Sequence, residues 1–291
     1  MNLIKGIVAG AVFACMTLTA AQAQSESDQA QIDNLFTQAA DVSEGAQVPD
    51  ATIIAEGGTL LQGEQACTYS RLLNADVTCT TAAIVFPHEG VGIDSIYYEA
   101  PVNVGHVNMD DWAEDVNSQI DEIWESYVEG SKAQSERIGY QVVPVKWVQY
   151  PTLNKAAKVL TYGILLDFGG TEAINLTTIK FTRSGYVVMD VVTSDEMLAA
   201  RSSNYDGASV YASKTYVPKT GMRYADFQTG DKVAAIGAVG VLASVIGVKH
   251  SKGWLAGISA GILLALKKFW FLLLVVPAAI WGGIKRFVRR T

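Results

Sequence analysis

YQVVPVKWVQYPTLNKAAKVLTYGILLDFGGTEAINLTTIKFTRSGYVVMDVVT, residues 140–193, is the stretch whose pattern sets the fold class. β-Branched, aromatic and aliphatic residues gather there in four runs, YQVVPVKWVQY, KVLTYGILLDF, AINLTTIKFT and YVVMDVVT. Turn formers separate them: residues 151–154 beginning with Pro151, then Gly169-Gly170, then Arg183-Ser184-Gly185. Short runs of this kind joined by tight turns predict an antiparallel β-meander.

Outward from the meander the period changes. Upstream, Trp112, Val116, Ile120, Ile123, Trp124, Tyr127 and Val128 fall at i, i+4, i+8, i+11, i+12, i+15 and i+16. They form the apolar stripe of one amphipathic helix after Asn108. Asp110 and Asp111 then sit at its start, where carboxylates cap free N–H groups. Residues 51–55, 80–86 and 94–99 read as further strands, and residues 32–42 as a short helix. Downstream, Ser194 is placed to cap a short helix through Met197 and Ala200, while residues 202–220 show no clear period. The predicted fold is α+β, a mainly antiparallel sheet with helices against one face.

The charge is divided along the chain. Residues 24–227 hold 12 Lys and Arg against 28 Asp and Glu, a net of −16. Residues 228–291 hold 9 Lys and Arg and one acid, Asp231, a net of +8. The acidic part argues against nucleic-acid binding, which needs dense Lys and Arg for phosphate contacts. At the N-terminus, Lys5, an apolar stretch over residues 7–19 and Ala21-Gln22-Ala23 resemble a secretory signal peptide, residues 1–23, with A-x-A cleavage. An exported chain leaves Cys67 and Cys79 as its mature cysteines. They are either a disulfide in an oxidising compartment or two buried thiols. With no His beside them and His88, His106 and His250 scattered, neither a metal site nor a cofactor is expected.

Residues 228–291 are almost wholly apolar between small basic clusters. They predict a helical membrane anchor with three short crossings at 233–248, 253–266 and 269–284, a single crossing being the alternative. Lys285, Arg286, Arg289 and Arg290 would lie inside, with the aqueous domain of residues 24–227 in the periplasm and the lipid bilayer as a partner. Gly253, Gly257 and Gly261 form a small-residue face suited to helix packing, within one chain or in a homo-oligomer, unless they are ordinary glycine content.

Two stretches carry a resemblance. GMRYADFQTGDKVAAIGAVGVLA places Gly221, Tyr224, Asp226, Phe227, Asp231, Lys232 and Ala234 in the pattern G-x-x-Y-x-D-F followed by D-K-x-A. GHVNMDDW, residues 105–112, follows G-[YH]-V-x-x-D-D-W, and Trp147 to Tyr150 adds a weaker match. The chain resembles the bacterial family of uncharacterised membrane-anchored proteins called domain of unknown function 2167. It departs from that pattern at Thr182-Arg183-Ser184-Gly185, where the family has a basic pair before a glycine. The resemblance implies a location and an extent of fold, and no activity.

No phosphate-binding loop, HExxH helix or GxSxG elbow is present. The candidate chemical groups are Asp110, Asp111, Asp226 and His106, each with a plain structural role as alternative. Two functions follow as expectations. One is a non-enzymatic envelope protein that binds or scaffolds a protein partner; the other is an envelope hydrolase working through those carboxylates.

Overall fold

The computed structural model describes residues 22–74, 79–112, 117–138 and 141–246, which lie within one compact unit. The four strand-like runs form β7 (Val143–Asn154), β8 (Val159–Asp167), β9 (Glu172–Thr182) and β10 (Gly185–Thr193). They pair consecutively and antiparallel, as the turns between them dictate. Upstream come α1 (Gln22–Thr37), β1 (Ala40–Asp41), β2 (Ala46–Gln47), β3 (Ala51–Ile53), β4 (Thr59–Gln62), α2 (Glu64–Asn74), β5 (Thr81–Phe86), β6 (Ser95–Glu99) and α3 (Asn117–Ile138). Downstream come α4 (Asp195–Ala200), α5 (Tyr205–Thr215), β11 (Tyr216–Pro218) and α6 (Ala238–Ile246).

Eight strands form one sheet in the order β1-β4-β5-β6-β10-β9-β8-β7, and β11-β3-β2 form a small second sheet. β10 therefore sits at the centre, pairing with β6 on one side and β9 on the other. The edge strand β7 shifts register at Pro144/Lys146, Trp147/Gln149 and Gln149/Thr152. Such bulges, with Pro and Lys on the strand, blunt an edge against pairing with another chain.

Alternation along the strands divides the core in two. Val187, Met189 and Val191 of β10 face one way and join Leu60, Val85, Ile96, Leu176, Leu198, Ala212 and Tyr216 in a buried cluster under α4, α5 and the small sheet. Lys180 on this side donates to Ser213 O at 2.6 Å and Tyr216 O at 2.7 Å, placing its charge at the carbonyl end of α5. On the opposite face, Leu61 and Ile84 pack beneath Ile32, Ala66 and Tyr69 of α1 and α2. Tyr186, Val188 and Asp190 share that opposite face, where α3 and α6 lie. Helices thus cover both faces of the sheet, a correction to the expected one-sided cover. An antiparallel sheet can leave one face wet only if its strands alternate polar and apolar, and β8 to β10 are mostly buried on both sides.

The expected C-terminal α-helical membrane anchor is also corrected. Among the described residues no helix is long and apolar enough to cross a membrane. In place of a span at 233–248, residues 233–237 run as an irregular strap and α6 has nine residues. Ala238, Val241, Leu242 and Ala243 of α6 are buried in the domain, so their apolar character serves the core. The expected spans 253–266 and 269–284, with Gly253, Gly257 and Gly261, lie outside the described residues, as do residues 1–21 of the expected signal peptide.

Candidate functional site

At the end of the sheet where β9 turns into β10, three stretches distant in sequence meet. The first is the loop over residues 102–112, the second the turn at Arg183 and Ser184, the third the strap over residues 221–237. Val102 exchanges backbone hydrogen bonds with Tyr186, at 2.8 and 3.2 Å, and the Gly105 N–H donates to Ser184 O at 2.9 Å. The strap then pairs with the loop: the His106 N–H donates to Lys232 O at 2.8 Å and the Ala234 N–H to His106 O at 2.9 Å. Gly105 has φ +107°, and a Cβ there would come within 2.8 Å of the backbone of Lys232, Val233 and Ala234. Only glycine lets the two chains approach so closely.

Side chains lock this clasp. Arg183 and Asp231 form a two-pronged ion pair, Nε and Nη2 each 2.8 Å from a carboxylate oxygen. The Gln228 N–H adds a third bond to Asp231 at 2.8 Å. Arg183 and these N–H groups hold the Asp231 carboxyl down to about 2. His106 lies between two rings, its centroid 4.1 Å from that of Tyr224 and 4.1 Å from that of Phe227. Burial lowers its basicity, against the pull of a backbone bond at Arg183 and the charge of Asp231. Tyr224 in turn donates to Val107 O at 2.7 Å and carries Lys158 Nζ 5.1 Å above its ring.

The carboxylates act on backbone groups. Asp226 accepts from the N–H groups of Gly221 at 2.9 Å and Arg223 at 3.0 Å, closing the turn over Tyr224–Asp226. Asp111 accepts from Ala238 at 2.9 Å and Val239 at 3.1 Å. Those N–H groups open α6, and that of Ala238 is shared with Asn108 O at 3.0 Å, so Asp111 caps a helix 127 residues away from it. A Cβ on Gly237 would overlap this carboxylate. Asp110 and Asp111 lie in a turn closed by Trp112 N–H to Met109 O, and the Asp111 carboxylate caps α6 where a cap on the helix after Asn108 was expected. Residues 113–116 lie outside the described residues. Asp110 is exposed, and its charge helps burial to push the Tyr224 phenol up.

All four candidate residues therefore fall on one clasp, with both motif stretches. The family profile described as "Protein of unknown function (DUF2167)" matches residues 47–278. The chain belongs to this family. No curated protein matches it. Among solved structures, the solution structure of cyanobacterial PsbP (CyanoP) from Synechocystis sp. PCC 6803 is similar with a TM-score of 0.34 and 8% identity, over 58% of this chain and 87% of that one.

Asp190 and Arg71 escaped the sequence, and Arg183 was named there without its role. Arg183 stands where the DUF2167 pattern has a basic pair, and its single guanidinium proves sufficient to bind Asp231. Asp190 sits on the α3 face of the central strand, accepting from Thr177 Oγ1 at 2.7 Å. A lone acid in the run YVVMDVVT was its only signal. Cys67 and Cys79 are joined as a disulfide with their Cα atoms 4.8 Å apart, and Arg71 beside them carried no signal at all. Among the described residues no group of three or more His, Cys, Asp or Glu is arranged to hold a metal ion.

Proposed function

We propose that this protein is an exported envelope protein whose α+β domain binds a protein partner and catalyses no reaction, with the clasp as its binding end. The observation that carries this reading is the commitment of three of the four motif carboxylates, the fourth, Asp110, standing exposed on the rim of the clasp. Asp111 holds α6, Asp226 holds a turn, and Asp231 holds Arg183. A hydrolase needs at least one carboxylate aimed at substrate, and these three are spent on holding chain to chain.

The surface of the clasp supports the same reading. Phe227 and Val233 are 37% and 57% exposed, on a segment pinned by the bonds above. Arg223 and Lys232 beside them are exposed as well, so an apolar pair with a basic rim stands on a domain of net charge −16. Aromatic and apolar anchors fixed on a rigid frame lose little freedom on binding, and a basic rim steers an acidic partner. The Cys67–Cys79 disulfide fits an oxidising, extracytoplasmic compartment.

The test is a photo-crosslinking residue at Phe227 or Val233 in living cells, with exposed Glu196 as the control position. A discrete protein adduct from the first two positions and none from the third is the expected result. Absence of any adduct at Phe227 and Val233, or the same adducts at Glu196, overturns the proposal.

A further inference from the structure

The Cys67–Cys79 disulfide ties the first turns of α2 to the residues just before β5. Its two ends differ in three ways. Cys67 is 5% exposed, whereas Cys79 is exposed. Cys67 lies near the N-terminus of α2, its N–H bonded to Gly63 O at 3.0 Å, whereas Cys79 lies on irregular chain at φ 53°. One helical turn on from Cys67, Arg71 Nη2 points back at Cys67 Sγ from 3.1 Å. Glu64 is also 3.6 Å from this guanidinium, but with 86% of its side chain exposed it competes weakly. A helix N-terminus and an adjacent guanidinium both favour a thiolate over a thiol.

We propose that this disulfide is an exchange site for an external dithiol, with Cys79 the sulfur attacked and Cys67 the sulfur released. A thiolate of the dithiol bonds to Cys79 Sγ, and the electron pair of the Cys67–Cys79 bond departs with Cys67, whose thiolate Arg71 stabilises. The second thiol of the reductant, losing its proton, then attacks its own sulfur in the mixed disulfide. Cys79 leaves as a thiolate and takes up a proton, and the dithiol leaves oxidised to a disulfide. Two electrons pass from the external dithiol to the protein. Attack in the other sense is blocked, because Cys67 is covered and Cys79 has no cation beside it among the described residues.

The fold tolerates the opening. α2 is fastened independently of the bridge through Ala66 and Tyr69, whose ring meets Phe86 of the sheet at 5.2 Å and Phe36 of α1 at 6.0 Å. Reduction therefore releases the tie between α2 and the residues just before β5 and leaves the helix in place. That is the behaviour of a reversible redox site, in contrast to a staple whose loss unfolds a small domain.

The experiment uses the purified full-length oxidised protein and glutathione as the probe. After a brief pulse the reaction is quenched in acid, free thiols are alkylated, and the two cysteines are mapped by peptide mass spectrometry. Glutathione on Cys79 with the alkyl group on Cys67 is expected, together with unchanged near-ultraviolet circular dichroism. Arg71→Met, which keeps the apolar stem, is expected to slow the pulse reaction about threefold, since a poorer leaving thiolate departs more slowly. Glutathione on Cys67, an Arg71→Met rate equal to the parent's, or opening only where the domain also unfolds would each overturn the proposal.

Discussion

Asp190→Asn removes one charge from the middle of the sheet, and the structure says how much that charge costs. Asp190 lies on the central strand with Thr177 opposite on β9 and Tyr97 opposite on β6. Tyr162 continues the row beyond Thr177, and Tyr127 of α3 faces the same cluster. Thr177 gives the carboxylate one hydrogen bond, while burial outweighs it and raises the carboxyl from 3.8 to about 6. A folded-state value above the unfolded one means that the folded chain binds the extra proton. Stability is then full below about pH 4, falls between about 4 and 6, and stays reduced above. The shift of roughly two units corresponds to about 3 kcal/mol at most, and about 1 to 3 once partial exposure of the side chain is allowed for. Asn keeps an oxygen for Thr177 and carries no charge. Urea unfolding of the full-length oxidised protein at pH 4 and pH 7.5 measures the difference. Asp190→Asn is expected to be within about 0.5 kcal/mol of the parent at pH 4 and more stable by about 1 to 3 at pH 7.5. A variant less stable than the parent at pH 7.5 would refute the reasoning, because it would mean that the ionised carboxylate is held by a partner.

Other substitutions probe the clasp. Asp231→Asn should lower the melting temperature at neutral pH and shrink the parent's loss of stability as pH falls from about 4 toward about 2, because the depressed carboxyl contributes only while ionised; an unchanged acid limb in a pH series of thermal melts would contradict this. Asp111→Ala should cost about 1 kcal/mol through the lost cap on α6, and Asp111→Asn less, since one oxygen remains to accept. Equal losses for the two variants in denaturant titrations would show that charge, and not the acceptor, is what α6 requires. Gly105→Ala places a methyl group against the strap backbone at positive φ and should cost more than about 1 kcal/mol. Hydrogen exchange at Ala234 would report the opened strap, and an unaltered rate would count against the close approach.

The meander was legible because β7 to β10 obey local rules: apolar runs, β-branched residues and three turns. The Ser194 cap was legible too, its hydroxyl accepting from the Met197 N–H at 3.2 Å. α5 was not, since Ala, Ser, Thr and Gly at its positions give little contrast between faces. α6 misled for a different reason. The sequence GAVGVLASVIG is equally suited to lipid and to a protein core, and hydropathy does not distinguish two apolar surroundings. At the candidate site, the motif spacing located Asp111, Asp226 and His106 but not their task. Asp111 was read against its nearest helix, and the N–H groups it satisfies belong to a segment reached only through the fold. Asp190 and Lys180 were hidden in strands because a single ionisable residue does not disturb an alternating pattern.

The strap has a consequence for how the chain is made. Its residues and α6 are the last of the domain to leave the ribosome, yet they close on a loop translated more than a hundred residues earlier. Until residue 239 has emerged, the backbone of His106 lacks its mate, Arg183 carries an unmatched charge, and Tyr186 and its neighbours wait without α6. Synthesis therefore delivers a sheet before its fastener. A chain interrupted short of Gly237 would present that unfinished end to proteases and chaperones, so the clasp also serves as the mark of a completed domain.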